Sequence, residues 1–342
     1  MHKLSCKNTT ADVNAATASN NGYNEEAVRL EVKSNDSEKW RDVGPINLID
    51  DMSELNVSGN VSTSTAQTKQ TSCVKKDLPI SVKSYLRGYK YKYRHSFDGK
   101  DTNLLLLLHG AGDTHEPYDK FATRMELPQT ATLAVSAKNV ELPLNLGYTW
   151  FYEMDCMGNT LKHDDKRRLA SLCRAVDWLE HLLCLLIGFP SSDKNRISDN
   201  DVMSWFPEQI FILGFSAGAC LDMELCRSWK INQRLPLGGA ICVCGGIKTE
   251  ALSQQNKSNK NRADDTNTAL TDILIITGSN DETYSEKSAM KSKQLYGSSN
   301  VQLHVEDGKG HSMIENRNEM RAVMQFLSQR LVRRMTSMES MT

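Results

Sequence analysis

The run Ile210-Phe211-Ile212-Leu213-Gly214-Phe215-Ser216-Ala217-Gly218 sets a serine between two glycines at the end of a short apolar stretch. The apolar part reads as a buried strand, and Ala219 to Cys226 reads as a helix. A sharp strand-to-helix turn forces the serine into strained backbone geometry and lifts its hydroxyl clear of the sheet. The two glycines are a steric requirement, since a side chain at either position would crowd the crossing. An exposed serine hydroxyl becomes a nucleophile when a neighbouring base takes its proton.

The base candidate is His311, in Asp307-Gly308-Lys309-Gly310-His311-Ser312. It follows the strand-like run Val301 to Glu306 and precedes a helical pattern expected over 314–333. The other seven histidines are placed less well: His2 lies in a polar region, His304 within a strand and His181 on a helix, His163 sits in a charged stretch, His95 precedes the core sheet, and His109 and His115 flank another loop. The acid candidate is Asp281, in the loop Gly278-Ser279-Asn280-Asp281-Glu282 that ends the strand Asp272 to Thr277. Its carboxylate would fix the imidazole tautomer and stabilise the imidazolium. Glu282 is the nearest competitor and Asp307 a weaker one.

A fourth part is needed, a set of donors for the negative charge that develops on an attacked carbonyl. The run Leu104 to Leu108 leads directly into His109-Gly110-Ala111-Gly112-Asp113-Thr114. Small residues there let backbone approach a ligand. The N–H groups of Ala111 and Ala217 are the candidate donors, an ordinary glycine-rich turn being the bland alternative. A phosphate loop fits less well, because the Lys-Ser/Thr ending is absent.

These segments, with Trp150-Phe151-Tyr152, resemble the phospholipase, carboxylesterase and acyl-protein thioesterase family of α/β-hydrolases over about residues 103–331. The resemblance implies an α/β-hydrolase fold: a mostly parallel central sheet flanked by helices, preceded here by a disordered N-terminal extension. It implies cleavage of acyl esters or thioesters without a cofactor, Ser216, Asp281 and His311 as the triad, and Ala111 and Ala217 as the oxyanion hole. The chain departs from the acyl-protein thioesterases in carrying Ala217 after the serine, where they usually carry Gln. The resemblance places Leu142 to Phe151 at one wall of an acyl pocket. Leu144, Trp150, Phe151 and, beside the histidine, Met313 are the candidate substrate-binding residues, with ordinary core packing an equal alternative.

Alternation of strands and helices along the chain implies a parallel sheet with right-handed crossovers. Strands are expected at 89–97, 104–108, 131–136, 210–215, 238–243, 272–277 and 301–306, and helices at 117–125 and 167–186. Residues 1–77 are too polar to bury a core and are expected to be disordered. The catalytic domain is expected over 78–334, with a short polar tail at 335–342 and polar insertions near 191–205 and 248–271.

The formal net charge of −1 argues against nucleic acid as a partner, and nine cysteines without a Cys-x-x-Cys pair fit reduced thiols. Nothing points to a metal site. The start lacks an apolar leader core, and no apolar run is long enough to span a bilayer. The expectation is a cytoplasmic enzyme acting on a small-molecule ester or acylated substrate. A short-chain carboxylesterase or a non-catalytic scaffold that binds a protein partner are the alternatives.

Overall fold

The computed structural model describes residues 75–188, 205–231, 234–247 and 270–333. The expected disorder of the N-terminal region, most of the two polar insertions and the C-terminal tail lie outside the described residues. In chain order the elements are α1 (Ile80–Tyr85), β1 (Tyr91–Arg94), β2 (Asn103–Leu108), α2 (His115–Met125), β3 (Thr130–Val135), β4 (Val140–Glu141), β5 (Tyr148–Thr149), α3 (Lys166–Ile187), β6 (Ile210–Phe215), α4 (Ala217–Ile231), β7 (Gly239–Val243), β8 (Ile273–Gly278), α5 (Glu286–Tyr296), β9 (Val301–Glu306) and α6 (Arg317–Ser328).

Seven strands form one sheet in the order β1-β3-β2-β6-β7-β8-β9. All neighbours are parallel except β1, which runs antiparallel to β3. A small antiparallel hairpin, β4 with β5, stands apart. The sheet is covered on both faces, which explains why its strands are continuous apolar runs rather than alternating ones. In β2 all five leucines are fully buried. Leu104, Leu106 and Leu108 pack with α3 and α4, while Leu105 and Leu107 pack with α2 and α6. Each contributes roughly 2 kcal/mol of apolar burial. A single strand therefore glues both helical layers together.

Element ends follow local chemistry. The side chain of Asp165 caps α3 by accepting from Arg167 N, and Gly188 ends it in the left-handed region at φ 79°. The last helix begins at Arg317 rather than near 314, because Asn316 and Glu319 form a reciprocal capping box. Strand β1 is shorter than the alternating pattern suggests. Beyond Arg94 the chain turns away: Ser96 N donates to Asp101 Oδ1, and His95 Nδ1 pairs with Asp101 Oδ2 at 2.7 Å. The same carboxylate accepts from Lys76 N at 2.8 Å, and Tyr93 Oη donates to the Lys76 carbonyl. Asp101 therefore holds the segment that precedes Leu78 against the fold.

Candidate active site

Ser216 sits in the turn between β6 and α4 with φ 50°, the strained left-handed conformation expected of a serine presented above a sheet. The flanking glycines are obligatory. A Cβ on Gly214 would lie 2.5 Å from the Gly218 backbone, and one on Gly218 would lie 2.3 Å from the Leu108 carbonyl oxygen. The turn is therefore wedged against the end of β2. The end of β7 closes the other side, with Gly245 so near Ser216 that a Cβ would meet its carbonyl oxygen at 2.4 Å.

His311 Nε2 is 2.9 Å from Ser216 Oγ, and His311 Nδ1 is 2.9 Å from Asp281 Oδ2. Serine, imidazole and carboxylate thus form one hydrogen-bonded chain. Asp281 is buried, and its Oδ1 also accepts the backbone N–H groups of Thr283 and Tyr284, both at 2.8 Å. Those bonds fix the carboxylate before the imidazole engages it. Glu282 and Asp307 are exposed; the Asp307 carboxylate is taken up by Ser279 Oγ. The imidazole tilts against the Phe215 ring at 5.3 Å between centroids and keeps about a quarter of its side chain open.

Gly110, Ala111 and Gly112 leave the end of β2 beside this chain. A Cβ on Gly110 would strike the Phe215 ring at 2.8 Å. Gly110 N is held by Tyr118 Oη and Gly112 N by the Tyr148 carbonyl. The N–H groups of Ala111 and Ala217 have no partner among the described residues. Both belong to the two turns that meet at Ser216, where a Cβ on Gly110 would lie 3.5 Å from the Ser216 Cβ.

Three residues that sequence reasoning did not assign to the site hold it in shape. His109 is fully buried, with Nδ1–H directed to the Gly110 carbonyl at 2.6 Å and Nε2 accepting from Ala137 N at 2.8 Å. Burial pushes its pKa down to about 4, so it is neutral. Lys309 bonds the Met313 carbonyl, Ser312 Oγ and Glu319, bracing the histidine loop on α6. Cys244, at φ 50°, packs against the loop with its Sγ 3.3 Å from the Ser312 carbonyl. His109 and Cys244 each stand one residue beyond a strand, the one signal they carried, and Lys309 in its loop carried none.

Among the described residues, Cys244, Asp281 and His311 have donor atoms within 4.8 Å of one another, close enough to hold a metal. Two of the three already bond each other. The Cys244 thiol is pushed up to about 12 by burial, with Asp281 adding to that and Lys309 opposing it. The thiol is therefore protonated, and the other two members of the set are engaged with each other.

The four candidate substrate-binding residues take different environments. Phe151 is fully buried in the core beneath α3, with the Arg168 guanidinium 4.9 Å above its ring, so it lines no cleft. Trp150 is also buried; its Nε1–H donates to the His109 carbonyl at 2.8 Å. The apolar pair turns inward because α3 offers it a greasy face that solvent does not. Leu144 does the opposite: it is exposed at the hairpin tip with φ 60°. Met313 is half-buried in the cluster that contains Phe215. The hairpin nevertheless abuts the donor loop: a Cβ on Gly112 would lie 2.7 Å from the Leu146 carbonyl oxygen.

Residues 95–331 match the phospholipase/carboxylesterase family model. The chain is 28% identical over 174 residues to an uncharacterized hydrolase of Mycosarcoma maydis, covering 49% of this chain and 59% of that one. It is 25% identical over 158 residues to an uncharacterized hydrolase of Schizosaccharomyces pombe, covering 44% and 56%. The matches thus span a little over half the length of these curated relatives. In fold it resembles the esterase PE8 (TM-score 0.52, 20% identity, 71% of this chain and 99% of that one) and Zea mays acyl-protein thioesterase 2 (TM-score 0.52, 18% identity, 71% and 99%). With a family match across most of the described fold, and with the sheet order and strand-to-helix turn already in hand, the chain belongs to the phospholipase/carboxylesterase family of α/β-hydrolases.

Proposed function

We propose that this protein is a serine hydrolase cleaving carboxylic ester or thioester bonds through an acyl-enzyme. The reading rests above all on one observation: a single imidazole, His311, spans Ser216 Oγ and Asp281 at 2.9 Å on both sides. In the first half-reaction His311 Nε2 takes the Ser216 proton as Oγ attacks the carbonyl carbon. The N–H groups of Ala111 and Ala217 donate to the oxyanion. Collapse expels the alkoxide or thiolate, which receives the proton from His311. In the second half a water gives its proton to His311, attacks the ester on Ser216 and releases the carboxylic acid, restoring the serine hydroxyl.

The substrate proposed is a small-molecule ester or an acylated molecule. Because Trp150 and Phe151 turn inward, the acyl group is proposed to lie between Met313 and the hairpin residue Leu146 rather than against the aromatic pair. The protein is proposed to work in the cytoplasm; among the described residues no helix is long and apolar enough to cross a membrane.

Incubation with a fluorophosphonate probe tests the reading. Covalent labelling at Ser216, abolished in Ser216→Ala, is the expected result. Folded protein that hydrolyses no p-nitrophenyl ester and never takes the label would replace the enzyme with a binding scaffold.

A further inference from the structure

A cavity of about 270 Å³ lies away from Ser216, Asp281 and His311, none of which lines it. Its wall is built from α3, from the segment after β3 and from the strand β5 with the residues that follow it. Three aromatic rings dominate: Tyr89 stacks on Trp178 at 5.1 Å between centroids, and Trp150 tilts against Trp178 at 5.7 Å. Two cations complete it. Lys138 Nζ stands 4.0 Å from the Tyr89 ring centroid, and Arg174 is exposed with no ion-pair partner among the described residues. No aspartate or glutamate lines the cavity.

Two of the lining residues carry a sealed polar atom without a partner among the described residues. Thr149 is completely buried, and its Oγ1 meets no hydrogen-bond partner among the described residues. Trp178 Nε1–H is likewise buried and unpaired. An unsatisfied buried donor or acceptor costs about 1–3 kcal/mol, but both atoms are sealed behind the lining and do not face the cavity.

We propose that this cavity binds a small planar carboxylate. The volume is at the small end of ligand pockets and admits one or two rings. Aromatic walls favour a flat apolar body. Two cations without an acidic neighbour in the lining favour an anionic head, and the charge-assisted bonds they can make are the strong ones. The site is distinct from the hydrolytic one yet adjoins it through a single residue: Trp150 forms part of the cavity wall while its Nε1–H holds the carbonyl of His109 at the base of the donor loop.

Calorimetric titration of the full chain with 2-naphthoate, and with the neutral 2-naphthamide, tests this. Tryptophan emission is followed in parallel, since two of the five tryptophans line the cavity. The expected result is saturable binding of 2-naphthoate with a change in emission, and affinity for the amide lower by about tenfold or more. In the double variant Lys138→Gln/Arg174→Gln the carboxylate should lose about tenfold or more while the amide is unchanged. Both cations are on the surface, so the variant keeps its fold. Absence of saturable 2-naphthoate binding, equal affinity for acid and amide, or unchanged carboxylate affinity in the double variant would each overturn the proposal.

Discussion

Lys309 Nζ lies 2.7 Å from Glu319 Oε1, and the two side chains are almost completely sealed from solvent. This ion pair joins the loop that carries His311 to the first turn of α6. The other Glu319 oxygen accepts the N–H groups of Glu315 and Asn316 at 2.8 and 3.2 Å, so one carboxylate ties the loop to the helix cap. Removing one partner leaves a buried charge uncompensated, at a cost of about 3–5 kcal/mol. Lys309→Met and Glu319→Met should each lower stability in urea by an amount in that range. The pair replaced together, Lys309→Met/Glu319→Met, should be more stable than Lys309→Met alone. Additive losses in the cycle would show that the two side chains are not coupled.

The choice of acid is decided by kinetics. Asp281→Asn should keep the fold and lower kcat by up to ~10⁴, because the amide would hold the imidazole in the wrong tautomer. Glu282→Gln should stay near the parent, its side chain being exposed and uninvolved in the hydrogen-bonded chain. A collapse in Glu282→Gln beside normal turnover in Asp281→Asn would reverse the roles.

Acid should loosen the donor loop through His109. Its pKa is lowered from the ordinary 6.5 to about 4 in the fold, so the unfolded chain takes up a proton that the folded chain refuses. Stability is then intact above pH 6.5 and declines as pH falls toward 4, by up to about 3 kcal/mol. Urea melts between pH 7 and 4 should show this slope. His109→Gln, weaker at neutral pH, should show a shallower one; identical slopes would remove His109 from the account.

Asp222 should give the opposite trend. It is fully buried on α4 and faces the thiols of Cys226 and Cys242, each 3.7 Å away, with no cation beside it among the described residues. Burial raises its pKa well above the carboxylate range, so the folded chain holds a proton that the unfolded chain releases. Stability therefore falls as pH climbs above about 4, until the folded-state pKa is passed. Asp222→Asn keeps the shape without the proton and should be more stable than the parent at pH 8. Parallel curves for the two proteins between pH 5 and 8 would refute the assignment.

The site was readable where chemistry and local geometry coincide. Ser216 lies at the junction of an apolar run and a helix, and only a glycine-flanked turn fits there, so its position was written in neighbouring residues. Asp281 and His311 each follow a strand, and the parallel sheet brings strand ends to one edge. The stretch 137–165 was less legible because it repeats with neither strand nor helix period. Nothing in Trp150-Phe151 itself says that the pair turns inward; that is decided by α3, which begins more than a dozen residues later. Lys309 and Asp222 were opaque for a related reason. A charged residue in a loop or on a helix reads as solvated, and only the tertiary fold reveals that it is enclosed.

The hydrogen-bonded chain at Ser216 has a consequence for how activity returns after denaturation. Its serine and imidazole are 95 residues apart, and its imidazole and acid 30. The donor loop comes from β2, the serine from β6, the acid from β8 and the histidine from the loop after β9, strands that must be laid side by side before any of the four groups meet. Contacts of such sequence separation form late, because the entropy of closing long loops precedes any reward. On the proposed function, turnover is thus a reporter of complete sheet assembly. Refolding followed by ester hydrolysis should lag behind refolding followed by far-ultraviolet circular dichroism, and a chain cut between β6 and β8 should show helical signal without any turnover.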